Sequence, residues 1–255
     1  MRTATRELEE IAGWITRAQR VVALTGAGIS TDSGIPDFRG PQGTWTRDPK
    51  AERMATIDAY MSDPRVRAQA WRARLAHPAW RAAPNEAHRA LASIERAGRL
   101  HTLITQNIDG LHQRAGHSKR NVIEIHGTIR QVMCMNCDER APMEDALERV
   151  RAGEVDPPCR SCGGILKSAT ISFGQSLIPQ DLRRAEQAAA SCDVFLAAGT
   201  SLVVYPVAYL PQVALSAGAR LVVLNGEPTP FDDRAHAVVR EPLGRSLPAL
   251  AAALV

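Results

Sequence analysis

Five short runs narrow the choice of fold more than any other feature of the chain: VVALT (21–25), LHTLIT (100–105), NVIEI (121–125), DVFLAA (193–198) and RLVVLN (220–225). Each is too short for a helix, is rich in Val, Ile and Leu, and ends in a Gly, Asn or His segment. Between them lie Ala-rich stretches of helical length, such as 85–97, 180–191 and 206–217. A strand that is apolar on both faces must be covered on both, and parallel strands need a long crossover that a helix supplies. The alternation therefore predicts an open α/β fold with helices on both sides of a parallel sheet. Leu8, Ile11, Ala12 and Ile15 recur at helical spacing, so residues 5–19 are expected to form an amphipathic helix ahead of the first strand.

Two stretches interrupt the rhythm. Residues 41–84 hold three of the four tryptophans and read as a loop followed by short helices, and 128–168 hold four of the five cysteines. Both are assigned to a smaller domain built from insertions, leaving 1–40, 85–127 and 169–255 to the sheet domain. With 45% apolar and 23% charged residues, the composition is that of a soluble globule. No run reaches ~18 consecutive apolar residues, and the N-terminus is acidic and helical in spacing, so neither a membrane span nor a leader is expected and the chain is read as cytoplasmic. The formal charge of +4 comes almost wholly from arginine, since Lys50, Lys119 and Lys167 are the only lysines. Those arginines are scattered and not clustered with aromatics, which disfavours direct nucleic-acid binding.

The exits of the strands carry the polar chemistry. ALTGAGISTDSGIPDFRG (23–40) places Gly26, Ala27 and Gly28 where the backbone can turn tightly and approach a bound phosphate. The dinucleotide fingerprint is incomplete, because Thr31 stands where its third glycine belongs, and by itself the turn serves equally as a plain βα connection. Asp37, Phe38 and Arg39 follow on a loop bounded by Gly and Pro: an acid, a flat ring and a cation that converge on one ligand, or a capped surface loop with Phe38 tucked inward. In TQNIDGLH (105–112), Gln106, Asn107 and Asp109 either cap the next helix or recognise a ligand. His126, in EIHG, stands at another strand's carboxyl edge, where a histidine is either structural or a general base with an unperturbed pKa near neutrality. His77, His88, His112, His117 and His236 lack that context and are read as structural. Gly199, Thr200 and Ser201 offer a small phosphate-facing turn, and Asn225 and Glu227 suit ribose hydroxyls. Ligands of open α/β sheets bind beyond the carboxyl ends of the strands, so five polar exits favour a dinucleotide lying across the sheet edge.

CMNC supplies Cys134 and Cys137, and after 21 intervening residues CRSC supplies Cys159 and Cys162. Four thiolates at this spacing complete a tetrahedral zinc site with no open position for water, so the metal is expected to staple a ribbon and take no part in a reaction. Cys192, beside an apolar strand, reads as a small buried residue.

Taken in order, GAGIST…SGIPDFRG, TQNIDGLH, EIHG, the paired CxxC, GTSLVVYP and the Asn-Gly-Glu exit closely resemble the sirtuin family over nearly the whole chain. The resemblance implies a Rossmann-like NAD-binding domain, a small domain of zinc ribbon plus helices, and an NAD-consuming protein lysine deacylase whose acyl-lysine peptide or protein substrate enters between them. It implies that Gly26, Ala27, Gly28 and Ser30 cradle NAD, that Asp37, Phe38 and Arg39 lie near the nicotinamide ribose and phosphates, and that Trp45 closes the loop. Gln106, Asn107, Ile108 and Asp109 would line the nicotinamide pocket. Gly199, Thr200, Ser201, Asn225, Gly226, Glu227 and Leu243 would fall on the adenosine side, with Ile171, Phe173 and Gly174 pairing with the substrate backbone. By the same resemblance His126 is the base that activates a ribose hydroxyl, and Asn107 is a second catalytic residue. Protein mono-ADP-ribosyl transfer and a catalytically silent NAD-sensing module stand as alternatives. STDSGIPDFRGPQGTWT and LKSATISFGQ look closest to the subgroup of mammalian sirtuins six and seven; common bacterial deacetylases have Phe-Gly-Glu where this chain has Phe173-Gly174-Gln175. Sirtuins that remove succinyl groups carry Tyr-x-x-Arg in the helical insert. Trp71-x-x-Arg74 keeps the cation and loses the phenol, so acidic acyl groups are not the expected substrate.

Overall fold

The computed structural model describes residues 2–37, 43 and 55–254. The chain opens with α1 (Arg2–Arg17), β1 (Val21–Thr25) and a 3-10 helix over Ala27–Ser33. It continues through α2 (Ile57–Ser62), α3 (Pro64–Leu75), α4 (Glu86–Arg96), β2 (Thr102–Thr105), α5 (Leu111–Arg114) and β3 (Val122–Glu124). Then come β4 (Gly127–Cys134), β5 (Arg140–Pro142), α6 (Met143–Arg151) and β6 (Leu166–Thr170). The last stretch holds α7 (Pro179–Ala190), β7 (Val194–Ala198), α8 (Leu210–Ser216), β8 (Arg220–Leu224), β9 (Ala237–Val239) and α9 (Leu243–Ala252).

Six strands form one sheet in the order β3-β2-β1-β7-β8-β9, every pair parallel. The five expected runs are its first five strands, and β9 extends it by one. Alternation along each strand sends side chains to two separate cores. Val21 and Ala23 of β1, Leu196 of β7 and Val222 of β8 pack with Leu8, Ile11 and Ile15 of α1, Leu91 of α4 and Leu250 of α9. Val22, Leu24, Phe195 and Val223 face the other way, onto Ala185 of α7 and Leu210 and Ala214 of α8. Each fully buried Leu or Ile contributes about 1.5–3 kcal/mol, so the double-sided pattern commits the sheet to a covered, parallel form.

β5, β4 and β6 make a second, antiparallel sheet. Its apolar side is closed by Met143, Ala146 and Leu147 of α6 and by Trp71 of α3, together with Val132, Leu166, Cys134 and Cys159. Helix α3 starts where Asp63 accepts the amide of Arg65 and Pro64 takes the first helical position, an arrangement that costs no backbone donor. The two insertions thus share one core. Gly127 is the hinge of entry: its φ is 73°, and a Cβ there would stand 2.1 Å from the carbonyl oxygen of Ala169, so only glycine lets β4 leave the main sheet at this point.

Candidate functional site

Strand order reverses between β1 and β7, and the carboxyl ends of strands at such a switch point are where open α/β sheets leave a crevice for a ligand. The glycines of the first exit are explained here. Gly26 N–H donates to the carbonyl of Ala198 (3.2 Å) and Gly28 N–H to that of Gly199 (2.9 Å), so the two exits touch through bare backbone. A Cβ on Gly26 would meet the Gly199 oxygen at 2.7 Å, and one on Gly199 would meet the Ile29 nitrogen at 2.5 Å. Leu243, at the start of α9, brings its Cδ1 to 3.0 Å of that same Gly199 position, placing it beside the β7 exit. Ser201 follows, half-buried.

Across the crevice the 106–109 segment is wired into the same rim. Gln106 Nε2 donates to Thr200 Oγ1 at 2.8 Å. Asn107 Nδ2 donates to the carbonyl of Gly26 (3.0 Å) and to Ser30 Oγ (3.1 Å), and Ser30 donates onward to Asp109 Oδ2 at 2.7 Å. The second oxygen of Asp109 accepts from Leu111 N–H at 2.9 Å, so this carboxylate both caps α5 and orients Ser30. Asn107 and Asp109 are buried and Ile108 half-buried, its carbonyl accepting from Ile129 N–H (2.9 Å). Asp37 is half-buried on the following loop, whereas Phe38, Arg39 and Trp45 lie outside the described residues. On the far side, Asn225 Nδ2 donates to the Glu227 carbonyl (2.7 Å), and Arg240 donates to the carbonyls of Asn225 (2.7 Å) and Glu227 (2.8 Å). This turn holds Gly226 with open space where a Cβ would stand.

His126 ends the β3 segment with its Nδ1 3.2 Å from the carbonyl oxygen of Gln106. A carbonyl only accepts, so Nδ1 carries the proton and Nε2 is left with its lone pair. Burial pulls the ring's pKa below the ordinary histidine value, and the bond to the Gln106 carbonyl partly offsets this. Burial pushes Glu124, two residues earlier, up to about 7. The His126 carbonyl accepts from Ile171 N–H (2.8 Å), tying the base to the segment after β6. In that segment Phe173 donates to the Ala55 carbonyl (3.1 Å) and accepts from Ile57 N–H (2.9 Å), so both of its main-chain groups are engaged within the chain. Gly174 adopts φ 80°.

Behind Ser30 lies a stack that sequence reasoning assigned to structure. His88 and His112 have ring centroids 4.8 Å apart, and His112 and His117 5.3 Å. His112 Nε2 is 2.9 Å from Thr25 Oγ1, and His117 pairs with Glu95. Asn85 caps α4 and donates to the Ile29 carbonyl (2.8 Å), fastening that helix to the 3-10 turn. Burial, the largest cause in each, holds His88 and His77 down to about 4 and His112 well below its ordinary value. Unfolding restores their affinity for protons near pH ~6.5. Between about pH 6.5 and 4 the unfolded chain binds more protons than the native one, so native stability falls as pH drops through that window. Urea midpoints are expected to decline steadily across it; a flat profile would show that these rings protonate in the folded state.

The four sulfur atoms of Cys134, Cys137, Cys159 and Cys162 lie within 4.8 Å of one another. Two of the separations are 3.5 Å (Cys134–Cys162) and 3.9 Å (Cys137–Cys159). Tetrahedral zinc with ~2.3 Å bonds to sulfur has sulfurs about 3.8 Å apart, so the cluster fits that ion and leaves no open position. Cys192 is buried, as expected. Trp71 is 1% exposed in the ribbon core, and Arg74 donates to Ser168 Oγ at 3.2 Å. Sequence reasoning missed Arg130, which reaches the Asp109 carbonyl from β4; just past the Gly199 turn the apolar side chains of Val203, Tyr205 and Tyr209 are exposed. The VVYP stretch had signalled the latter by placing apolar residues in a loop.

A doubly covered parallel sheet with polar exits meeting at its switch point, and a four-thiolate ribbon inserted beside them, defines a Rossmann-like protein with a structural metal module. The chain belongs to the Sir2 family, whose family model matches residues 26–206. It is 54% identical to NAD-dependent protein deacetylase 2 of Streptomyces coelicolor over 90% of this chain and 95% of that protein. It is 44% identical to NAD-dependent protein deacetylase 1 of Pyrobaculum aerophilum over 96% and 94%. Among solved structures it resembles a Sir2 protein with a deacetylated p53 peptide and 3'-O-acetyl ADP-ribose (TM-score 0.88, 35% identity, 95% of this chain and 96% of that one). It also resembles Sir2Tm bound to a propionylated peptide (TM-score 0.84, 34% identity, 94% and 95%).

Proposed function

We propose that this chain is an NAD-dependent protein lysine deacylase, transferring the acyl group of lysine to ADP-ribose and releasing nicotinamide. One observation carries the reading: His126 is fixed as the Nδ1–H tautomer by the Gln106 carbonyl, at the same rim where Gln106, Asn107, Ser30 and Asp109 are hydrogen-bonded together. NAD, when bound, supplies the carbon–nitrogen bond to nicotinamide whose cleavage drives the transfer. The rim suits it, with a tight backbone turn where Gly26 and Gly28 pack on Gly199, open space at Gly226, and amide and hydroxyl groups on both sides.

Ser30, Gln106, Asn107, Ile108 and Asp109 are assigned to the nicotinamide end, together with Asp37, Phe38, Arg39 and Trp45. Thr200, Ser201, Asn225, Glu227 and Leu243 are assigned to the adenosine end. His126 Nε2 takes a ribose hydroxyl proton, and a neutral imidazole held by one carbonyl suits that role. Peptide pairing falls to the Ile171 carbonyl and Gly174, since Phe173 spends its N–H and C=O on Ala55 and Ile57. Cys134, Cys137, Cys159 and Cys162 hold zinc as a staple. The core shared by α3 and the ribbon supports grouping 41–84 with 128–168 as a small domain, and 1–40, 85–127 and 169–255 as the nucleotide domain. A subgroup close to mammalian sirtuins six and seven rests on the cofactor-loop and Phe173-Gly174-Gln175 motifs. Among the described residues no helix is long and apolar enough to cross a membrane. A cytoplasmic location is supported by four reduced thiols built to hold a metal.

Incubation with NAD and acyl-lysine peptides of increasing chain length is expected to release nicotinamide only when both are present, in step with free lysine. Nicotinamide release without peptide, with ADP-ribose appearing on protein, would favour the transferase. NAD binding without turnover would favour a silent sensor.

A further inference from the structure

Strand β4 begins with a bulge. Gly127 pairs with Thr170 and Val132 with Ser168, so residues 128–131 stand opposite Ala169 alone. Bulges beside functional sites turn side chains away from the ladder and aim them elsewhere. Here the freed stretch faces the 106–110 segment: Ile129 takes the Ile108 carbonyl, and Arg130 reaches the carbonyl of Asp109 with Nη2 at 2.9 Å and Nε at 3.2 Å. The same Nη2 donates to the carbonyl of Ala79 at 3.0 Å, and the guanidinium lies 5.0 Å over the Trp80 ring. Gly110 gives it passage, since a Cβ there would stand 3.3 Å from Arg130 Nε. One side chain of the ribbon sheet therefore grips both the helical insert and the peptide unit whose carboxylate orients Ser30.

We propose that Arg130 is a positioning residue for cleavage of the nicotinamide bond: by clamping the Asp109 carbonyl it keeps the Asn107–Ser30–Asp109 array in register with the ribbon and the insert. This rests on the deacylase reading. Its hydrogen bonds are to the main-chain oxygens of Asp109 and Ala79, which a planar guanidinium fork engages together and an ammonium meets only in part. The peptide-facing groups at 171–174 and the four cysteines are not among its partners, so the effect separates by substrate.

Arg130→Met keeps an apolar stem against Trp80 and removes every donor, while Arg130→Lys keeps the charge and an ammonium able to donate, without the planar fork. In Arg130→Met, kcat is expected to fall about tenfold and the half-inhibiting nicotinamide concentration to rise about fivefold, as displacement of a positioned group predicts. Peptide KM should stay within about twofold and zinc content and melting temperature near wild type, with Lys recovering part of kcat. Calorimetric titration of both proteins with NAD and nicotinamide is run alongside, and weaker binding in Arg130→Met supports the clamp. If the wild type binds both but turns over no acyl peptide, the deacylase reading fails while the titration still decides the role of Arg130. Unchanged kcat and nicotinamide response in a stable Met variant, or equal losses in peptide KM, kcat and melting temperature, would overturn it.

Discussion

His126→Ala is expected to lower deacylation turnover by about 10²–10⁴-fold, the range for removal of a general base, while zinc content and NAD affinity stay close to wild type. The ring is half-buried and belongs to none of the three apolar cores, and among the described residues its side chain bonds to the Gln106 carbonyl. Its loss therefore opens little cavity but removes the lone pair that accepts the ribose proton. The pH profile makes the assignment stricter. A base must be neutral to act, and burial lowers the pKa of His126, so the deprotonated ring persists into mildly acidic solution. The acid limb of kcat/KM should rise with pH through an apparent pKa below ~6.5 in the wild type and be missing from the residual rate of the variant. Full turnover by a folded His126→Ala protein would sink the role, and so would an acid limb that survives the substitution.

What could be read from the chain follows a physical division. β1, β7 and β8 were legible because both faces are buried, so each run is apolar without interruption. β9 escaped because Ala237–Val239 is closed in by His236 and Arg240, whereas the equally short edge strand β3 sits in the longer apolar run 121–125, and α9 escaped because Pro248 interrupts its pattern. The zinc ligands were legible because two knuckles are local in sequence. For Asp109 the two readings, helix cap and site residue, turn out to coexist, since its two oxygens point to Leu111 and Ser30 respectively. The tautomer of His126 depends on a carbonyl from the neighbouring strand, and the reach of Arg130 depends on a bulge. Neither leaves a trace in residue order, because both are set by register between segments.

Cys134→Ser should have the largest effect on the molecule as a whole, and it should be local. Among the described residues the ribbon core holds six buried side chains, Trp71, Val132, Met143, Ala146, Leu147 and Leu166, besides Cys134 and Cys159, with Leu75, Trp80, Ala141 and Val150 partly buried against it. A core that small cannot repay the ordering of its own loops, and metal binding of order 10 kcal/mol is what such modules depend on. Cys134 and Cys159 are buried while Cys137 and Cys162 are exposed, so losing the inner ligand Cys134 both breaks the tetrahedron and unpins β4 from β6. Zinc is expected to fall from one per chain to near zero, and residues 127–170 to become readily cleaved by protease. Acyl-peptide turnover should vanish, because Ile171 and the Arg130 clamp hang from those strands. NAD should still bind, more weakly, since the crevice between β1 and β7 is built from the covered sheet and shares no core residue with the ribbon. A zinc-free, protease-resistant Cys134→Ser protein with wild-type turnover would mean that the ribbon stands on its apolar contacts alone.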